Sequence, residues 1–120
     1  MTEHSFAEES KPTAAWLWQV VTGIGLVVLL GLHIIANHFI AKGGLRDYAA
    51  VVSYLRNPLI LMLEVLFLIC VTTHALLGIR AIFLDFGISE STEKRLTKIL
   101  NVAGVLTVLY GLVIMWFVIR

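Results

Sequence analysis

Cysteine is nearly absent from this chain: Cys70 stands alone, so no internal disulfide and no Cys-rich metal spacing is possible. Charge is scarce as well. Only 14% of the 120 residues are Asp, Glu, Lys or Arg, and the basic ones are dispersed, for a net charge of +1. No basic patch results, which excludes nucleic-acid recognition. Internal repeats and low-complexity tracts are missing, and no Gly-rich loop of the phosphate-binding kind occurs.

What fills the chain is apolar. Hydrophobic residues make up 59% and the mean hydropathy is +0.93, far from the composition of a soluble domain. Three runs, Trp16 to Ala41, Leu59 to Leu84 and Ile99 to Ile119, each reach the ~20 residues that carry a helix across ~30 Å of hydrocarbon. They predict an all-α integral membrane protein with transmembrane helices at about 16–41, 58–84 and 99–119, behind a polar tail over 1–15. Lys42-Gly43-Gly44 ends the first run. Asn57-Pro58 opens the second with proline in a first-turn position, and Asp85 and Gly87 close it. The polar segment Ser89 to Lys98 separates the second run from the third.

The first run does not read as a cleaved signal, because Met1 to Pro12 is acidic and no small-residue cleavage pattern follows a short apolar core. His4, within that tail, is assigned no role. Charge does not orient the chain: Lys11, Arg80, Lys94, Arg95 and Lys98 on one face are matched by Lys42, Arg46, Arg56 and Arg120 on the other.

Two histidines stand out against this background. His33 and His74 lie inside spans, where an imidazole is costly without a partner, so each marks a functional site for which a metal centre is a fitting occupant. Helical rise converts position into depth. His33 falls ~7 Å past the middle of its run toward the far face, and His74 ~3 to 5 Å past the middle of the returning run toward the near face. The rings therefore differ in depth by ~10 to 12 Å at modest tilt. Two axial ligands of one haem iron would share a depth, so the spacing predicts two haems, each completed by a ligand from another chain. Three helices are too thin to enclose a porphyrin, and these spans are expected to form half of a multi-helix haem-binding bundle. The competing reading makes both histidines interhelical hydrogen-bonding groups of a cofactor-free structural or assembly protein.

Other residues carry weaker signals. Gly78, one turn after His74, and Gly23, Gly25 and Gly31 of the first run either make room for a macrocycle or mark close helix contacts. Arg80 suits a haem propionate. His38, near the interface, suits a propionate or a quinone carbonyl, or is satisfied by water or a lipid headgroup. Glu64 lies about two turns inside the second run and reads either as a proton relay or as a carboxyl that stays protonated or pairs with Arg56. Cys70 is expected to be a small packing residue.

The stretch from Thr73 to Gly87 places His74, Gly78 and Asp85 in the order His-x-x-x-Gly-x-x-x-x-x-x-Asp. It resembles the signature of the membrane anchor subunits of succinate dehydrogenase (succinate:quinone oxidoreductase). Val108 to Trp116 is similar to the closing helix of the smaller, D-type anchor. His33-Ile34-Ile35-Ala36-Asn37-His38-Phe39, followed by Gly43 and Gly44, resembles the first-helix motif of two-haem members of that family. The likeness runs from Trp16 to Trp116.

The resemblance implies that His74 ligates a proximal b haem and His33 a distal one. It further implies a second membrane anchor subunit, an iron-sulfur subunit, a flavoprotein subunit and a quinone. The setting it implies is a bacterial or archaeal cytoplasmic membrane with the N-terminus on the cytoplasmic side. The Ser and Arg that help hold quinone in the larger, C-type anchor have no counterpart in Ala14-Ala15-Trp16-Leu17-Trp18-Gln19, which favours the D type. The Asp-Tyr pair of D-type anchors is Asp85-Phe86 here, so the hydroxyl is missing and Asp85 keeps only its place on the quinone side. No flavin or iron-sulfur motif occurs, so succinate oxidation would take place on partner subunits. The expected role is to hold haems and a quinone pocket so that electrons pass from the iron-sulfur subunit to quinone. Another b-type cytochrome with different soluble partners is the remaining alternative.

Overall fold

The computed structural model describes residues 13–40 and 47–120. The readings made for the tail, His4 included, and for Lys42, Gly43, Gly44 and Arg46 lie outside the described residues.

Helix α1 spans Ala14–Ile34. Thr13 caps it, its Oγ1 accepting from the Trp16 amide at 3.3 Å and so satisfying one of the free N–H groups of the first turn. The chain continues as π-helical turns over Ile35–Ile40, and the membrane-length helix as a whole is Ala14–Phe39. Helix α2, Tyr48–Leu55, follows Asp47, whose carboxylate accepts from the Ala50 amide at 2.8 Å. Helix α3, Pro58–Asp85, opens with Asn57 Oδ1 accepting from the Leu59 amide at 3.0 Å. Pro58 occupies a first-turn position where no N–H is needed. Gly87, at φ 72°, turns the chain after α3, a conformation that costs glycine little. Helix α4, Glu90–Ile119, is capped by Ser89.

The structure departs from the sequence expectation in two places. Helix α4 begins nine residues before Ile99, because Glu90 and Glu93 favour the positive end of the helix and Lys94 bridges back to Glu90 at 2.8 Å. The segment after Ser89 is thus helix rather than separating loop. Helix α2, too short for a span, lies between the first and second runs, fixed by its cap and its packing on α3 and α4.

Helix α3 lies between α1 and α4, and among the described residues α1 and α4 do not touch. The result is an open layer of three long helices. Small residues bring α1 against α3. A Cβ on Gly23 would sit 3.1 Å from His74 Cε1, one on Gly25 3.2 Å from Cys70 Sγ, and one on Gly78 3.6 Å from Gln19 Nε2. Gly23 and Gly25 therefore serve close helix approach, while a Cβ on Gly78 would meet only an ordinary contact and Gly31 faces open space. Between α3 and α4, Leu76 and Leu68 fill notches at Gly104 and Gly111, one heptad apart. Arg80 fastens the same pair, donating from Nη2 to Glu93 Oε1 at 2.6 Å and from Nε to Thr97 Oγ1 at 3.1 Å.

The layer has almost no core of its own. Among the described residues Ala36 is the one buried hydrophobic residue, and no large side chain is fully buried. Large apolar side chains along all three spans face outward, as lipid or partner helices require. The chain is an all-α integral membrane protein. Its buried polar side chains among the described residues are Thr22 and Glu64, each 8% exposed, and each touches an intramembrane histidine.

Candidate functional site at two intramembrane histidines

His74 projects from α3 onto Gly23 of α1. Its Nδ1 is 3.1 Å from the Gln19 carbonyl and 3.2 Å from Thr22 Oγ1. The Thr22 hydroxyl donates to the Trp18 carbonyl at 2.7 Å, so its oxygen is left to accept. A carbonyl only accepts. Nδ1 therefore carries the proton, and the lone pair of the neutral ring is on Nε2. Cys70 completes the contact by donating from Sγ to the Thr22 carbonyl at 3.2 Å, the packing role expected of it.

His33, on the last turn of α1, meets a carboxylate instead. Its Nδ1 is 2.8 and 2.9 Å from the two oxygens of Glu64 on α3, and Phe67 stacks on the ring with centroids 5.1 Å apart. Tyr54 of α2 donates its hydroxyl to Glu64 Oε1 at 2.6 Å. Asn37 Nδ2 donates to the Tyr54 oxygen at 3.1 Å and to the His33 carbonyl at 2.8 Å, using both its hydrogens. Donation thus runs from Asn37 to Tyr54 to Glu64, and from His33 to Glu64. Here too Nδ1–H is fixed, and Nε2 has no hydrogen-bond partner among the described residues.

Glu64 does not pair with Arg56, the partner considered from the sequence. Arg56 Nε donates to the Ile119 carbonyl at 3.3 Å, because α2 lies against the end of α4 and turns that side chain away from α3. Tyr54 is a site residue with no signal in the apolar runs, and Asn37 of the first-helix motif joins the site through it. The antiparallel register pairs Glu64 with His33: with Gly23 opposite His74, ten residues onward in α1 and ten back in α3 bring His33 opposite Glu64.

That register also sets the separation of the two rings. Ten residues along either helix correspond to ~15 Å at 1.5 Å per residue, somewhat more than expected. Metal–imidazole bonds are about 2 Å, so two axial nitrogens of one metal stand roughly 4 Å apart. These two imidazoles cannot serve one metal ion.

The remaining candidates lie apart from the histidines. Arg80 is committed to Glu93 and Thr97, at one end of a cleft of about 510 Å³ between α3 and α4 that Thr72, Thr73 and Asn101 also line. His38 is exposed on the π-helical turns, and Asp85 is exposed at the last position of α3. Neither joins a hydrogen-bonded cluster among the described residues. Nor do three or more His, Cys, Asp or Glu side chains gather at any one point of the described residues. Each histidine offers a single oriented nitrogen, Nε2, opposite the one that its neighbouring helix holds.

Comparison with known proteins gives a consistent result over nearly the whole chain. The family described as succinate dehydrogenase/fumarate reductase transmembrane subunit matches residues 3–118. A succinate dehydrogenase hydrophobic membrane anchor subunit from Archaeoglobus fulgidus is 31% identical over 116 residues, covering 97% of this chain and 98% of the relative. One of the same description from Thermoplasma acidophilum is 30% identical over 102 residues, covering 85% of this chain and 83% of the relative.

Proposed function

Because this chain belongs to the succinate dehydrogenase/fumarate reductase transmembrane-subunit family, we propose that it is a D-type anchor that holds two b haems, with His74 ligating the proximal and His33 the distal iron. One observation carries the reading. Each intramembrane imidazole has its Nδ1–H held by a buried acceptor of the neighbouring helix, which leaves Nε2 free to bind metal. Orientation of a ligand histidine through its other nitrogen is the usual support of a metal site. The chain supplies one imidazole per level, so the second axial ligand of each iron comes from a second anchor subunit.

Bound haem of this kind, with both axial positions filled, supplies one-electron transfer without binding oxygen. The chain's own residues prepare the site. Gln19 and Thr22 fix the ring of His74, Glu64 and Phe67 fix that of His33, and Gly23 allows the close approach of His74 to α1. With the N-terminus on the cytoplasmic side, His74 is the level nearer an iron-sulfur subunit, and electrons from a flavoprotein subunit pass through that subunit toward quinone. Asp85 borders the quinone side at the end of α3, and His38 offers a polar contact for propionate or quinone at the opposite end. Arg80, whose Nε and Nη2 already hold Thr97 and Glu93, has further N–H groups to offer a propionate.

A reduced-minus-oxidised spectrum of the purified complex tests the proposal. A b-type α band with two haems per copy of this chain is expected. Its absence would leave Thr22–His74 and Glu64–His33 as interhelical ties of a cofactor-free anchor, a reading that the same hydrogen bonds also accommodate.

A further inference from the structure

We propose that Tyr54 is a positioning residue that tunes, through Glu64, the electron-donating strength of His33 toward the iron it binds; this rests on the haem reading above. The two histidines are supported unequally. His74 gives its Nδ1–H to a carbonyl and a hydroxyl, both neutral, whereas His33 gives its own to a carboxylate. A carboxylate acceptor pulls the imidazole toward imidazolate character, raises its basicity and favours the ferric state of a bound iron. Left alone, Glu64 would set the two sites far apart in potential.

Tyr54 opposes that pull. Its hydroxyl lies 2.6 Å from Oε1, an oxygen that His33 Nδ1 also reaches at 2.8 Å while standing 2.9 Å from Oε2, so two donors draw on one carboxylate. A charge-assisted hydrogen bond this short withdraws electron density that would otherwise polarise Nδ1–H. Asn37, donating to the phenol oxygen at 3.1 Å, makes Tyr54 the stronger donor, since hydrogen bonds in a chain polarise one another. This gives α2 a task beyond connecting two spans: it delivers Tyr54 to a carboxylate buried in α3.

The test is a spectroelectrochemical titration of the intact complex. Tyr54→Phe should lower the potential of the component that His33→Ala abolishes, by up to roughly tenfold in the redox equilibrium, ~59 mV for one electron, and leave the other component in place. Glu64→Gln should move the same component in the opposite direction. The low-spin ferric electron paramagnetic resonance signal of that component should shift its g-values in Tyr54→Phe, which a merely structural tyrosine would not cause. Should Tyr54→Phe fail to assemble, Asn37→Leu retains the phenol and is expected to produce a smaller shift of the same sign. Unchanged potentials, or equal shifts of both components, would overturn the inference. A wild-type complex without b haem would instead remove the functional reading on which it rests.

Discussion

Thr22 faces His74 as an acceptor, because its own proton is given to the Trp18 carbonyl at 2.7 Å while its oxygen stands 3.2 Å from Nδ1. Glu64 does the same for His33 by virtue of charge. Polar groups in hydrocarbon persist only when satisfied, and the two buried polar side chains of the described residues are each spent on an imidazole.

Separate levels predict separate losses. His33→Ala and His74→Ala should each remove one spectroscopically distinct b-type component, read from difference spectra of the two variants. Disappearance of the same component in both would contradict two irons ~15 Å apart along the helices.

Thr22→Val keeps the branched shape and removes the hydroxyl acceptor, leaving His74 Nδ1 with the Gln19 carbonyl. A destabilisation of about 1 kcal/mol is expected, measured by unfolding in bicelles. The spectral change should be confined to the His74 component.

Glycines at two positions should respond oppositely. Gly23→Val places side-chain atoms beyond a Cβ that already lies 3.1 Å from His74 Cε1, and the ratio of haem to protein should fall toward one. Gly31→Ala meets nothing within 4 Å and removes backbone freedom, so a gain of roughly 0.5–1 kcal/mol is expected without loss of haem. Equal haem content in both variants would count against the Gly23–His74 contact as a determinant of the site.

Arg80 and Glu93 form a partly exposed ion pair, with side chains 25% and 35% accessible. A double-mutant cycle with Arg80→Ala and Glu93→Ala should return a coupling of roughly 0.2–1 kcal/mol. If Arg80 is instead held by a propionate in the assembled complex, the coupling vanishes there while Arg80→Ala alone alters a haem component.

The three spans and the unequal levels of the histidines are legible in the apolar runs and the rise of a helix. The family is legible in His74, Gly78 and Asp85, and its match extends over residues 3–118. What those runs do not encode is rotation about the helix axis. With apolar side chains on every face, nothing in the pattern says that Gly23 rather than Gly31 meets α3, or that Glu64 faces His33 rather than Arg56. Helix α2 likewise rests on local capping by Asp47, a signal that span-length hydrophobicity does not carry. The apolar run also understates α4, because Glu90 to Lys98 is helix-forming without being apolar.

The outer position of α4 divides the molecule mechanically. Every contact that aims His74 is made between α1 and α3, so whatever docks along the exposed flank of α4 leaves that ring undisturbed. His33 is not so isolated. Through Arg56 on the Ile119 carbonyl and Tyr54 on Glu64, α2 joins the tip of α4 to the carboxylate. A subunit that assembles against that tip meets the support of His33 while sparing that of His74.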